Sequence, residues 1–159
     1  MSDHEFQQEL KALVHLPIQE FLRHRAPMLL LDRLVDIGPD FAVCEWQVSD
    51  SNIFASPDLG VPAYIGVEYM AQCIAVLAGA RARAKNQQVP LGYLLGTRSF
   101  RSSITYFPVG LRYQVVCREL IHNGFGMRSY ECEITQRGGP VAQARLNVLE
   151  APQGETSRE

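Results

Sequence analysis

The sequence has four cysteines among its 159 residues, no C-x-x-C pair, and no histidine at zinc-ligand spacing from any of them. Cys44, Cys73, Cys117 and Cys132 therefore read as reduced, buried thiols, and a structural metal or disulfide framework is not expected. Charge of either sign is close to balance, with a formal net of -2, and no basic stripe appears, which argues against a general nucleic-acid binder. A glycine-rich phosphate loop, a flavin motif, a metal-ligand cluster, an internal repeat and a low-complexity segment are all missing, so no cofactor and no metal are expected. Residues Met1 to Leu16 are polar and charged, without the apolar stretch of a signal peptide, which makes the cytoplasm the expected compartment.

Hydrophobic residues supply 47% of the chain and charged residues 20%, ordinary values for a soluble domain. A single domain of this length hides roughly 70% of the surface its unfolded form exposes and needs no staple. The longest apolar stretch runs from Val61 to Ala78. Only Glu68 and Gln72 break its apolar or small character, and they stand one helical turn apart on a shared face. A carboxyl group enclosed there must be partnered or neutralised. Full burial pushes such a group toward its neutral form, by up to about 3–5 pKa units, which suits a proton donor near neutral pH. The stretch reaches transmembrane length, but Pro62, Glu68 and Gln72 interrupt it and Arg81, Arg83 and Lys85 follow. A helix wrapped by sheet is expected, not a membrane span.

The N-terminal Ser2-x-x-Glu5 can form a capping box before an amphipathic helix carrying Phe6, Leu10, Leu13 and Val14. Pro17 opens a second turn through Leu22, and Pro27 closes the connector that follows. Met28 to Ile37 and Phe41 to Val48 read as a hairpin, and Asp50 to Gly60 as a loop. The long helix is expected from about Pro62 to about Lys85. Beyond Asn86 the period changes to two, giving strands at Leu91–Phe100, Leu111–Ile121, Met127–Gln136 and Val141–Leu149 as an antiparallel meander. Three parts follow: a flanking helical segment (1–22), a main domain (23–150) and a loose tail (151–159). The fold class is α+β, one antiparallel sheet curled around one long central helix. The helix leaves sheet edges uncovered, so pairing of two such sheets in a dimer is expected.

The segment Val61-Pro62-Ala63-Tyr64-Ile65-Gly66-Val67-Glu68-Tyr69-Met70-Ala71-Gln72 resembles, without gaps, the central-helix motif F-P-G-V-L-I-L-E-A-M-A-Q of the hotdog-fold 3-hydroxyacyl-acyl-carrier-protein dehydratases. His24 to Arg33, HRAPMLLLDR, is similar to that family's H-R-Y-P-F-L-L-V-D-R, and Phe100-Arg101 with Pro108-Val109-Gly110 echoes its R-F-K…P-G-D. The resemblance spans roughly Arg23 to Glu150 and is nearest to the dehydratase-like branch of aryl polyene clusters, where the Leu94–Arg98 run also recurs. It implies a hotdog fold and places Glu68 on the catalytic carboxylate. It also implies that Phe54 stands where the family carries the histidine that takes the substrate's α proton. His24 falls on a family residue outside the catalytic pair.

On this reading the chain handles acyl thioesters of an acyl carrier protein or coenzyme A in fatty-acid or polyketide synthesis. Glu68 is the acid that protonates the leaving β-hydroxyl, with Gln72 orienting it. The Ala63 N–H, in the first helical turn, is a candidate donor to the thioester carbonyl. Phe54 and Tyr64, with Tyr69 and Tyr93, could line an acyl tunnel or simply fill the core. Arg98 and Arg101, expected near the tunnel mouth, are candidates for a phosphopantetheine phosphate or an acidic carrier. The missing histidine points to a heterodimer with a histidine-bearing hotdog subunit, a homodimer being the other assembly. A hotdog thioesterase, with Glu68 directing water, and a non-catalytic acyl-binding or partner-stabilising subunit are the alternative functions.

Overall fold

The structure is a computed structural model, and it describes residues 1–122 and 124–151. Its first helix, α1 (Asp3–Ala12), carries the expected capping box: Glu5 N donates to Ser2 Oγ and Ser2 N donates to Glu5 Oε2. Leu10 is fully buried and Phe6 and Leu13 pack beside it, so α1 lies on the core as an amphipathic flank. A short 3-10 turn, Ile18–Glu20, then buries Ile18.

The hairpin forms from β1 (Arg33–Ile37) and β2 (Phe41–Gln47), so the first strand is shorter than the sequence pattern suggests. Residues Met28 to Leu30 are diverted from the ladder because their backbone groups are taken by a side chain. Leu30 N donates to Gln72 Oε1 and Met28 O accepts from Gln72 Nε2. Two very short strands, β3 (Val61–Pro62) and β5 (Tyr106–Phe107), pair with each other and were not legible as period-two runs. The central helix begins one turn later than expected. Ala63–Ile65 is 3-10, and α2 runs Gly66–Ala84. Strands β4 (Gly92–Ser102), β6 (Arg112–His122), β7 (Met127–Gln136) and β8 (Gly139–Glu150) complete the chain.

The main sheet has the order β1-β2-β6-β7-β8-β4. Strands β6, β7 and β8 form the expected meander, but β4 joins it at the far edge against β8 and does not pair with β6. Tyr69, Met70, Cys73, Leu77 and Ala80 of α2 are sealed against this sheet, so the helix is enclosed as its all-round apolarity requires. At its core Trp46 stacks on Tyr69 with ring centroids 4.0 Å apart, and Phe107 and Tyr113 close the cluster edge-on to each other. By length and composition the span Ala63–Ala84 could cross a membrane; in this fold it is the core helix. Gly79 meets the Phe21 carbonyl so closely that a Cβ would overlap it, which fixes how the turn after α1 sits on α2.

The outer edge is different. Strand β4 is exposed along nearly its whole length, and Leu91, Tyr93, Leu94 and Leu95 each show at least 40% of their surface. An edge strand carrying large apolar residues, paired with β8 on one side only, is a template for another chain.

Candidate active site

Glu68 lies in the first turn of α2, and its carboxylate is held from two sides. Gln72 Nε2 donates to Glu68 Oε1 at 2.9 Å, and His24 Nε2 stands 3.6 Å from the same oxygen. Gln72 itself is fully buried and has both donors used: its Nε2 also donates to Met28 O at 2.8 Å, and its Oε1 accepts from Leu30 N at 2.9 Å. This one side chain therefore ties the carboxylate to the segment after the His24 connector. A buried amide bonded at both ends is rigid, because breaking any of these bonds costs a desolvated polar group. Gln72 is thus the side chain that touches the Glu68 carboxylate from its own helix.

Glu68 and His24 both border a cavity of about 200 Å³ whose other walls are mostly apolar, including Ala71, Ile74, Ala75, Leu94 and Val148. Arg23 Nη2 donates to Val89 O across one side of it, drawing the connector toward the segment that leads into β4. One premise of the sequence reading changes. The Glu68 side chain is 35% exposed in the single chain, so it is not the fully buried carboxyl that the apolar run suggests. The cause is the exposed start of β4, which leaves the cavity unsealed on that side.

The other expected residues lie elsewhere. The Ala63 N–H donates to Thr105 O at 2.9 Å, so that donor is used within the fold and not on a thioester carbonyl. Tyr64 points outward at 70% exposure, and Tyr69 is sealed in the aromatic core, where burial pushes its phenol up. Phe54 packs on the core from its loop, outside the lining of the Glu68 cavity. Arg98 and Arg101 line a different, open groove with Arg118, Glu131 and Glu133. A bulge between them, with Ser99 at φ 56°, breaks the two-residue alternation. They stand away from the Glu68 cavity, so the expected place at its mouth is not where the fold puts them. No cluster of potential metal ligands occurs among the described residues.

His24, which the family resemblance sets outside the catalytic pair, is a neighbour of Glu68 that sequence reasoning did not connect to it. It precedes the first strand by nine positions and has no helical or strand periodicity to link it to Glu68. The signal that could have found it is Gln72, because a buried glutamine one turn from Glu68 must bond some backbone, and the segment just after the connector is what it bonds.

A curled antiparallel sheet around one buried helix, with an anchored carboxylate on the first turn of that helix, defines a hotdog protein of the dehydratase-like class. The family model described as ApeP dehydratase matches residues 16–158, and the chain belongs to the ApeP-like family. It is a dehydratase-like hotdog protein of aryl polyene synthesis, the branch that the motifs resemble. Among solved structures, the dehydratase heterocomplex ApeI:P from Xenorhabdus doucetiae is 29% identical over 89% of this chain and 95% of that one, with a TM-score of 0.79. A hypothetical thioesterase with coenzyme A from Streptococcus pneumoniae TIGR4 shares the fold at 13% identity, with 76% and 86% of the two chains covered and a TM-score of 0.58. Cj0977, a sigma28-regulated virulence protein from Campylobacter jejuni, does so at 11% identity, 96% and 94% coverage and a TM-score of 0.59. The search of curated proteins gives no match.

Proposed function

We propose that this chain supplies Glu68 to a 3-hydroxyacyl thioester dehydratase site completed by a histidine of a second hotdog subunit. In the reaction the histidine takes the α proton, the Cα=Cβ bond forms, and the β C–O bond breaks as Glu68 gives its proton to the departing oxygen, releasing water. The carrying observation is Glu68 itself, clamped by Gln72 on the edge of an apolar cavity. Phe54, at the position of the usual base, cannot accept a proton. The exposed edge of β4 fits the docking of another hotdog sheet, and its Leu94 and the preceding Leu91 also line the cavity, so docking there would exclude water from Glu68. The heterocomplex of the 29% identical relative supports a paired assembly. An acyl carrier protein or coenzyme A would present the thioester. Four free, buried thiols fit a reducing compartment, the cytoplasm.

A second reading rests on His24, whose Nε2 is 3.6 Å from Glu68 Oε1, so that both groups could act within one chain. One experiment separates the two. Loss of water from a 3-hydroxyacyl carrier-protein substrate is followed by mass spectrometry for this chain alone, and for this chain mixed with a histidine-bearing hotdog subunit whose own carboxylate is inactivated. Turnover only in the mixture, abolished by Glu68→Gln, supports the shared site. Turnover by the chain alone, abolished by His24→Asn, overturns it in favour of the His24 pair. Release of free thiol without dehydration identifies a thioesterase, and acyl binding without turnover a non-catalytic subunit.

A further inference from the structure

Each turnover at the shared site leaves Glu68 without the proton that it gave to the departing oxygen, and one must be returned before the next. The groups around Glu68 differ in their capacity to supply it. Gln72 touches Oε1 through Nε2, but its donors are taken by Glu68 and Met28 O, and an amide releases no proton near neutral pH. Of the other titratable groups lining the cavity, Arg23 stays protonated and donates to Val89 O, and Glu150 is paired with Arg128, whose Nε lies 3.2 Å from its Oε2. That leaves His24, whose imidazole is the side chain type that both gives and takes a proton near neutral pH.

The fold holds His24 in a suitable place. Its Nε2 stands 3.6 Å from Glu68 Oε1, too far for a settled hydrogen bond and near enough for a proton to pass after a small turn of the ring. Its Nδ1 is buried with no hydrogen-bond partner among the described residues, so no second bond commits the ring to one tautomer. The backbone beneath it is fixed. Arg25 Nη1 donates to His24 O and to Leu22 O, at 2.8 Å each, and Arg25 Nη2 donates to Gln19 O at 3.2 Å. Arg23, the residue before His24, is tied to Val89 O. With 36% of its side chain exposed, His24 also reaches solvent, and it belongs to the connector rather than to the β4 edge.

Resting on the shared-site reading of Glu68, we infer that His24 is the residue that returns the proton to Glu68 between turnovers, acting through that carboxylate and not on the thioester. After water leaves, the His24 imidazolium passes its Nε2 proton to Glu68 Oε1, and the neutral ring takes another from solvent. The base of the second subunit releases the α proton to solvent, so one proton enters through His24 for each that leaves through the base. Exclusion of water favours the transfer. In a dry site the desolvation of an imidazolium and a carboxylate outweighs their attraction unless further hydrogen bonds hold both charges, and Nδ1 of His24 has none, so assembly moves the shared proton onto Glu68.

Rapid-quench mass spectrometry of the assembled protein tests this. The full chain, unaltered or as His24→Asn, is mixed with a histidine-bearing hotdog subunit whose own carboxylate is inactivated, equilibrated in buffer, and given excess 3-hydroxyacyl carrier-protein substrate. The variant is expected to complete its first dehydration, one product per Glu68, at the unaltered rate and then to run about tenfold slower, and added imidazole should restore the later turnovers. An unchanged steady rate in His24→Asn overturns the inference. So does a first turnover slowed as much as the later ones, which marks His24 as a base in the chemical step or as a support for the fold. Slow later turnovers that imidazole does not restore overturn it as well. His24→Gln should give the same burst, so the result does not depend on the folding of one variant. In the same assay Glu68→Gln loses the first turnover if the shared-site reading holds, so failure of that reading and failure of the return step are distinguishable.

Discussion

Replacing Gln72 with leucine removes one side chain and breaks three contacts at once. The isosteric change keeps the helix apolar and nearly conserves volume, so packing contributes little to the outcome. What remains is the polar account. Leu30 is buried, and its N–H loses the Gln72 Oε1 acceptor at 2.9 Å with no water able to replace it. An orphaned buried donor costs about 1–3 kcal/mol. Met28 O is nearer the surface and recovers a water, so its loss adds little. At the centre of that range, about 2 kcal/mol, the melting temperature of a chain this size falls by about 4–8 °C. Trp46, the single tryptophan and fully enclosed against Tyr69, reports the transition by its fluorescence. Gln72→Glu is the companion variant: it retains an acceptor for Leu30 but loses the donors to Met28 O and Glu68 and sets a second carboxylate beside the first. If Gln72→Leu melts within 1 °C of the unaltered protein, as roughly a null result on that scale, the clamp does not exist as described. A melt that falls as expected, with dehydration unchanged, would instead leave Gln72 structural and remove its orienting role.

Gly79→Ala should be among the most destabilising single changes, by about 1–3 kcal/mol or more, because the added methyl meets the Phe21 carbonyl and must push the post-α1 turn off the helix; chemical denaturation measures it. Burial alone would raise the Glu119 carboxyl, but Arg81 and Arg128 beside it hold it below its usual range. A depressed carboxyl stabilises the fold above its unfolded value of about 4.3 and loses that contribution as pH falls through the folded value, so the melting gap between the unaltered protein and Glu119→Gln should be widest at neutral pH and narrow below about pH 4. Burial pushes the thiols of Cys73, Cys117 and Cys132 up, and all four cysteines are enclosed, so a thiol reagent should label none in the native protein and all four after unfolding.

The fold was legible because its large elements obey simple periods. An apolar run with two polar residues one turn apart can only be an enclosed helix, and strands of period two can only face it with one side. The pairing of β4 was not legible, because alternation marks a strand without naming its neighbour; β4 reaches β8 at the sheet edge through a long connection. At the site, the residues on α2 were readable and those brought to it were not. Glu68 and Gln72 share a helix face by local geometry alone. His24, forty-four positions earlier, enters only because Gln72 captures Met28 and Leu30 and so fixes where the connector runs. Ala63 illustrates the opposite error: position in the first helical turn suggests a free donor, but Thr105 comes from another element to take it. The sequence pattern therefore shows which groups have polar needs, and only the tertiary fold shows which neighbours meet them. That is why the amide bonded at both its ends, and not the conspicuous carboxylate, is the residue through which this site is assembled.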